Sequence, residues 1–345
     1  MIEIDGSQKS GSGTILRVSM ALAALKSQPL HIYNIRQNRP QPGLRPQHLE
    51  SVLTAAKLCN AQLKGATLSS RELWFTPSKV EGGRIEAEIG TAGSIPMLLL
   101  AVLPICIIAE KPVCLHVTRG GTDVQNSPTT NYIRHLLLPT LKRMRFDASL
   151  TVQKYGYYPK GMGEITVTTE PCKKLQPLRL EIFGKMKTIK GVSVCTHLAD
   201  RKVAERQANA AQGYLKERGL QTGIEVMNDA SNPIQKGSSI TLWTETDTNT
   251  MLGADAIGEI KKSSEVVGTE ASQKLWIEIQ SKPTVDVYLA DMLIPYMALS
   301  EGRSTFLTRM ITEHIETNLW LAKVILNAHF SVTKTGELHK VEKRD

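Results

Sequence analysis

At 345 residues, with 41% hydrophobic and 22% charged side chains, the chain can bury a sizeable core, which excludes a disordered segment or a short stapled scaffold. Lysine and arginine exceed aspartate and glutamate by 42 to 33, a net charge of +9 that favours polyanionic partners such as nucleic acid and nucleotides. Five scattered cysteines without a C-x-x-C pair argue against a disulfide framework or a structural zinc site. The longest uncharged apolar stretch, residues 95–109, is broken by Pro104 and falls short of the ~20 residues that span a bilayer, so no membrane partner is expected. The N-terminus has no basic segment followed by an apolar one, so a cytoplasmic location is expected.

In chain order, residues 2–5 read as a strand. Residues 14–25 read as a helix with Ile15, Leu16, Val18, Ala21 and Leu25 on its apolar side, and residues 30–35 as a second strand. A helix over 47–59 precedes strands at 73–76 and 84–89. A third helix opens after Gly93, followed by an extended run at 113–118, a helix at 130–143 and strands at 148–153 and 164–169. The order of elements recurs at intervals of roughly 60 to 80 residues, too loosely for a solenoid. The pattern is α+β, with helices packed on one side of mixed sheets.

From about Lys185 the texture changes. A strand at 189–195, a charged amphipathic helix at 201–218, a strand at 239–245 and a helix at 263–280 are separated by polar loops, and residues 285–331 turn apolar again. A chain that leaves its core and returns suggests an insertion. The expected organisation is a main body over 1–184 and 280–338, an inserted α/β domain over 185–279 and a polar tail over 339–345.

Several segments are suited to binding anions. Gly11-Ser12-Gly13 opens the first helix, where bare backbone N–H groups and the helix dipole suit a phosphate, with Arg17 one turn inside; it reads equally as a capping turn. The loop from Ile35 to His48 carries Arg36, Arg39, Arg45, Gln47 and His48 between prolines, and planar guanidinium groups suit bidentate phosphate binding; a solvated basic loop has the same letters. Gly90-Thr91-Ala92-Gly93-Ser94 and Arg119-Gly120-Gly121-Thr122-Asp123 are small-residue turns after strands. Tyr155-Gly156-Tyr157-Tyr158-Pro159-Lys160-Gly161-Met162-Gly163 mixes aromatics, lysine and glycine in a way that suits base stacking or a hairpin. Near the C-terminus stand Tyr288-Leu289-Ala290-Asp291-Met292 and Thr312-Glu313-His314-Ile315-Glu316-Thr317-Asn318, with His314 where an extended run at 306–311 gives way to a helix.

Taken in order, IRxNRPxPGLRPQHL, GTAGS, RGGTD…SP…Y, GYYPKGxG, YLADxLIPYMAL and TxHxxTN make the chain resemble the RNA 3′-terminal phosphate cyclases, above all the archaeal ones, from Met1 to about Ser331. The resemblance implies tandem βαβ-type repeats like the C-terminal domain of translation initiation factor three, interrupted by one smaller α/β insert. It implies ATP as a substrate and RNA with a 3′-phosphate as a partner. It also implies conversion of that phosphate to a 2′,3′-cyclic phosphate through a covalent histidine–AMP intermediate. His314 matches the histidine. Arg17, Arg36, Arg39, Gln47 and His48 match phosphate-handling positions, and Leu100 with the 288–292 segment (Tyr288, Leu289, Ala290, Asp291 and Met292) matches the nucleotide pocket.

The chain also departs from the family pattern. Ser10-Gly11-Ser12-Gly13-Thr14 replaces E-G-G-G-Q, removing a carboxylate implied to help hold a magnesium or manganese ion. Leu100 replaces a glutamine, Asp291-Met292-Leu293 replaces D-Q-L, and Gly161-Met162-Gly163 replaces G-G-G. These losses of polar groups point to altered metal or nucleotide dependence. They also fit a second reading, a cyclase-like RNA-binding protein with impaired turnover. Relatives of that second kind lack the histidine, which this chain keeps.

Overall fold

The computed structural model describes residues 1–344. Strand β1 (Ile2–Asp5) lies parallel to β2 (Leu30–Tyr33), joined by helix α1 (Gly13–Leu25), because parallel neighbours need a crossover connection. Helix α2 (Pro46–Leu58) then leads to β3 (Gln62–Lys64) and β4 (Leu73–Thr76), and β4 inserts antiparallel between β2 and β3. The second unit is built alike: β5 (Gly83–Glu88), α3 (Ile95–Cys106), β6 (Val113–Gly120), a helical run, β7 (Ala148–Lys154) and β8 (Gly163–Thr169). The run consists of α4 (Thr130–Tyr132), a π-turn (Ile133–Leu137) and α5 (Leu138–Arg143). The strand orders are β1-β2-β4-β3 and β5-β6-β8-β7, the same topology twice.

The next sheet departs from it. Strand β9 (Ile189–Thr196), helix α6 (Val203–Lys216), β10 (Thr222–Asp229), β11 (Gly237–Glu245), β12 (Met251–Ile257) and α7 (Ser264–Ser281) give the order β10-β9-β11-β12. Ile189, Leu215, Ile240, Leu242, Leu252 and Leu275 form an apolar cluster of its own beneath it. The chain continues through α8 (Val287–Leu299), β13 (Ser304–Thr308), α9 (Glu313–Leu326), β14 (Phe330–Thr335) and β15 (Leu338–Lys343), ordered β13-β15-β14. This is the topology of the first two units without their first strand. Residues 178–180 stand in its place: Leu180 N donates to Thr305 O (2.9 Å) and Thr305 N to Leu178 O (2.7 Å), a parallel bridge centred on Arg179. One large core runs beneath the first, second and last sheets, and α1 is its central helix, packed against α2, α3 and α9.

Most sequence-based elements match to within a few residues. Strands β10 and β12 fall where polar loops were expected: TGIEVMND has no fully buried residue and MLGADAI is rich in small residues, so neither carries a strong apolar signal. Residues 339–345, expected as a polar tail, are largely strand β15, which pairs with both β13 and β14 around buried Val341; Asp345 lies outside the described residues. Among the described residues no helix is long and apolar enough to cross a membrane.

Candidate functional site

The helix start at Ser12 and the arginine loop converge at one end of the large core. Ser12 caps α1, its hydroxyl accepting from Thr14 N (3.2 Å), and Gly11 adopts φ +53, the left-handed conformation that favours glycine. The loop is tied to α9 by Ser10 N donating to Thr317 Oγ1 (3.3 Å), and to the arginine loop by Arg39 Nη2 donating to Ser10 O (3.2 Å). Arg36 Nη1 donates to Gln41 O and Gly43 O, which stiffens the loop from within. Gln47 Oε1 accepts from Ser94 N (2.8 Å), joining α2 to the turn before α3.

His314 occupies the first turn of α9, whose cap Thr312 accepts from Ile315 N (3.1 Å). Its Nδ1 lies 3.2 Å from Thr14 Oγ1, and the same oxygen accepts from Arg17 Nη2 (3.3 Å). Desolvation lowers the His314 pKa, Arg17 and Arg39 lower it further, and Glu313 opposes them. The positive end of the α9 dipole acts in the same direction, so the imidazole is held neutral while the residue stays open to solvent.

His48 is more strongly shifted. Burial, then Arg17, Arg36 and Arg45, push its pKa down to about 3. Its Nδ1 accepts from Arg45 N (3.3 Å), so the proton of the neutral ring sits on Nε2. The ring packs against Gly13, where any Cβ would collide with it and with Arg17. An uncharged N–H donor thus stands beside the α1 N-terminus. Burial lowers the Arg17 pKa to about 10, with Asp291 opposing the shift and Arg36 adding to it. Asp291 is raised to about 7 by burial and by Asp286, against the pull of Arg17. Its backbone carbonyl accepts from Asn318 Nδ2 (2.8 Å), and the buried Asn318 Oδ1 has no partner among the described residues.

The arrangement therefore gathers Arg17, Arg36, Arg39 and His48 near His314. The hydrogen bonds made by Arg17, Arg36 and Arg39 go to hydroxyl and carbonyl oxygens rather than carboxylates, which leaves N–H capacity for an anion. The remaining sequence-based residues are more dispersed. The 288–292 segment is the start of helix α8, not a loop, so helical periodicity divides it: Tyr288 is exposed and Asp291 half-buried towards Arg17, while Leu289, Ala290 and Met292 are buried in the core. Leu100 is half-buried on α3 against the same core.

The residues present do not form a seat for a divalent metal. Ser10 and Ser12 hydroxyls lie 3.0 Å apart where the family pattern has a carboxylate and a glycine, and the nearby carboxyl of Asp291 faces Arg17. Among the described residues no group of three or more His, Cys, Asp or Glu side chains is placed to hold one.

Sequence reasoning passed over two things here. Thr14 was noted only for the glutamine it replaces, whereas its hydroxyl is the partner of the His314 ring. Tyr155 and Tyr157, candidates for base stacking, are buried against Val192 and Val194 of β9, which leaves Tyr158 exposed.

The family model described as RNA 3′-terminal phosphate cyclase matches residues 8–332. Proteins named RNA 3′-terminal phosphate cyclase from Methanopyrus kandleri and Pyrococcus furiosus are each 40% identical to the chain. The first aligns over 100% of the chain and 99% of its own length, the second over 99% of each. The protein of that name from Methanosarcina barkeri is also 40% identical, over 99% of each chain. The chain belongs to the RNA 3′-terminal phosphate cyclase family.

Proposed function

Given that membership, we propose that the protein is an ATP-dependent cyclase of RNA 3′-phosphate ends that works through His314. The observation that carries the reading is the His314 ring, neutral, open to solvent and bonded through Nδ1 to Thr14 beside Arg17. Thr14 Oγ1 has two lone pairs and takes N–H groups from Arg17 and from His314 Nδ1, which leaves Nε2 bare as the nucleophile. Nε2 attacks the α-phosphorus of ATP, the P–N bond forms, and pyrophosphate leaves. The RNA 3′-phosphate then takes the AMP from His314, giving an RNA–phosphate–adenylate. The neighbouring 2′-hydroxyl attacks the RNA phosphorus, loses its proton, and expels AMP as the cycle closes. Such transfers depend on positioning and on neutralising charge, which Arg17, Arg36, Arg39, and the Nε2–H of His48 supply by binding phosphate oxygens.

We further propose that the three similar sheets are initiation-factor-three-like repeats, with 185–279 inserted in the third. The shared strand order and the bridge between 178–180 and β13 support this reading. Nucleotide specificity is assigned to the exposed side of α8 at Tyr288 and Asp291.

Incubation with α-labelled ATP, with and without a chelator, tests the mechanism. Stable label on the wild type and none on His314→Ala is the expected result. Absence of label under every condition, together with binding of 3′-phosphorylated RNA, would favour the RNA-binding reading without turnover.

A further inference from the structure

The β7–β8 connection plays no part in the chemistry above, yet it is built rigidly. Asn232, fully buried in the loop before β11, donates through Nδ2 to Tyr155 O (2.7 Å) and Gly161 O (3.0 Å), and its Oδ1 accepts from Ile234 N and Gln235 N. Gln235 completes the clamp, donating to Tyr158 O (3.1 Å) and accepting from Lys160 N (3.2 Å). Two loops from different sheets are thus locked together. Between them Tyr158 projects with 78% of its surface exposed, while Tyr155 and Tyr157 are 4% and 3% exposed. Lys160 and Lys236 flank it in solvent and pair with no carboxylate among the described residues, unlike Lys154 a few residues earlier, which pairs with Glu164.

This knuckle connects to the His314 site by direct contacts. Gly161 abuts the Gly90–Ser94 turn so closely that a Cβ would lie 2.8 Å from Thr91 O. That turn bonds Gln47 through Ser94 N, and the adjacent His48 packs on Gly13 and Arg17. Gly90 and Thr91 are exposed along this path.

We propose that RNA upstream of the reacting 3′ end crosses the Gly90–Ser94 turn and stacks one base on Tyr158, with Lys160 and Lys236 taking flanking phosphates. The inference rests on the RNA substrate proposed above. Charge complementarity selects a polyanion over a protein partner: unpaired lysines flank the ring, and Ile234 is the exposed large aliphatic residue beside it. Because the clamp fixes the backbone in advance, stacking requires little further ordering, and a tyrosine face accepts any base.

Fluorescence anisotropy of the full chain with 3′-phosphorylated oligoribonucleotides of increasing length tests this. Tyr158→Ala is expected to weaken an eight-nucleotide strand about tenfold. A mononucleotide 3′-phosphate, and AMP labelling of His314, should be unaffected. Tyr158→Phe should bind as the wild type, and Lys160→Gln with Lys236→Gln should reduce the salt dependence. Equal loss for the mononucleotide and the long strand, or no loss for either, would overturn the inference while leaving the labelling chemistry intact. Failure of the wild type both to label and to bind RNA would sink it together with the proposed function.

Discussion

Asp123, Asp255 and Asp286 lie where the β9–β12 sheet meets the helical run at Thr130, and the protein satisfies them from within. Asp123 accepts from Thr130 N and Ser239 Oγ (both 2.9 Å), and Asp255 from Thr129 N (2.7 Å). Asp286 accepts from the Tyr132 hydroxyl (2.6 Å) and from Tyr288, Leu289 and Gly253 N (each 3.0 Å). Arg17 and His48 lie beside His314 around the α1 N-terminus and keep N–H donors free. Both regions shift pKa values, so a shift alone does not separate a site from a scaffold. The carboxyls are raised by burial, with Asp123 and Asp286 reaching about 7, and internal donors still hold them. The imidazoles are lowered by burial and by nearby arginines, among which Arg17, Arg36 and Arg39 make their hydrogen bonds to hydroxyl and carbonyl oxygens. On the proposed function, the second region is arranged for an anion that comes and goes.

The sharpest way to break this contrast is Arg17→Met, which keeps the stem and removes the donors. AMP incorporation is expected to slow by up to about a thousandfold, while the melting temperature changes little because Asp291, raised to about 7, can remain neutral. Asp286→Ala should do the reverse. It removes the α8 cap and leaves the Tyr132 hydroxyl and Gly253 N unpaired, costing about 3 kcal/mol in urea denaturation.

Asp123→Asn tests the same interface through pH. Burial raises the wild-type carboxyl from an ordinary 3.8 to about 7 in the folded state, which therefore holds the proton more tightly. Its ionisation therefore costs the wild type stability as pH rises from about 4 to about 7, with no further loss above. Asparagine does not titrate and keeps both contacts once Ser239 turns to donate its hydrogen elsewhere and accept. The variant should match the wild type near pH 4 and exceed it by on the order of 2 kcal/mol at pH 8, read by thermal melts across pH.

The smallest expected effect belongs to Thr14→Val, about tenfold in the rate of labelling, on the scale of one hydrogen bond. Thr14→Ser should restore most of it. The midpoint of the acid decline in the wild-type rate should lie below the ordinary imidazole value of 6.5, because burial and then Arg17 and Arg39 lower the His314 pKa. A valine variant with the wild-type rate would remove Thr14 from the mechanism.

The sequence disclosed one of these regions far better than the other. Arginines on a proline-stiffened loop are chemically conspicuous, and Arg17, Arg36, Arg39, His48 and His314 do meet. The interface acids were harder to read: Asp123 stands in a small-residue turn that suggested an anion site, and the partners that fix Asp123, Asp255 and Asp286 across the interface lie up to 154 positions away. The resemblance assigns the whole 288–292 segment to the nucleotide pocket, whereas its apolar residues continue the spacing of α8 and turn Leu289, Ala290 and Met292 into the core. Strand β12 was missed because it buries small side chains against the π-turn, where any Cβ at Gly253 would collide with Leu136. Close packing of this kind leaves no hydrophobic period to read.

The bridge at Arg179 has a bearing on how the chain reaches this state. Leu178 and Ser304, which bond beside it, are 126 positions apart. Closing so long a span adds little to the equilibrium cost, since each doubling of length adds only ~0.6 kcal/mol, but contacts of high sequence separation form slowly. Folding of the intervening sheet with α6 and α7 would bring the two ends together, and the strand that leads into the His314 helix is expected to consolidate late. On the proposed function, a half-folded molecule would present its arginine loop to RNA before it had a histidine able to react with ATP.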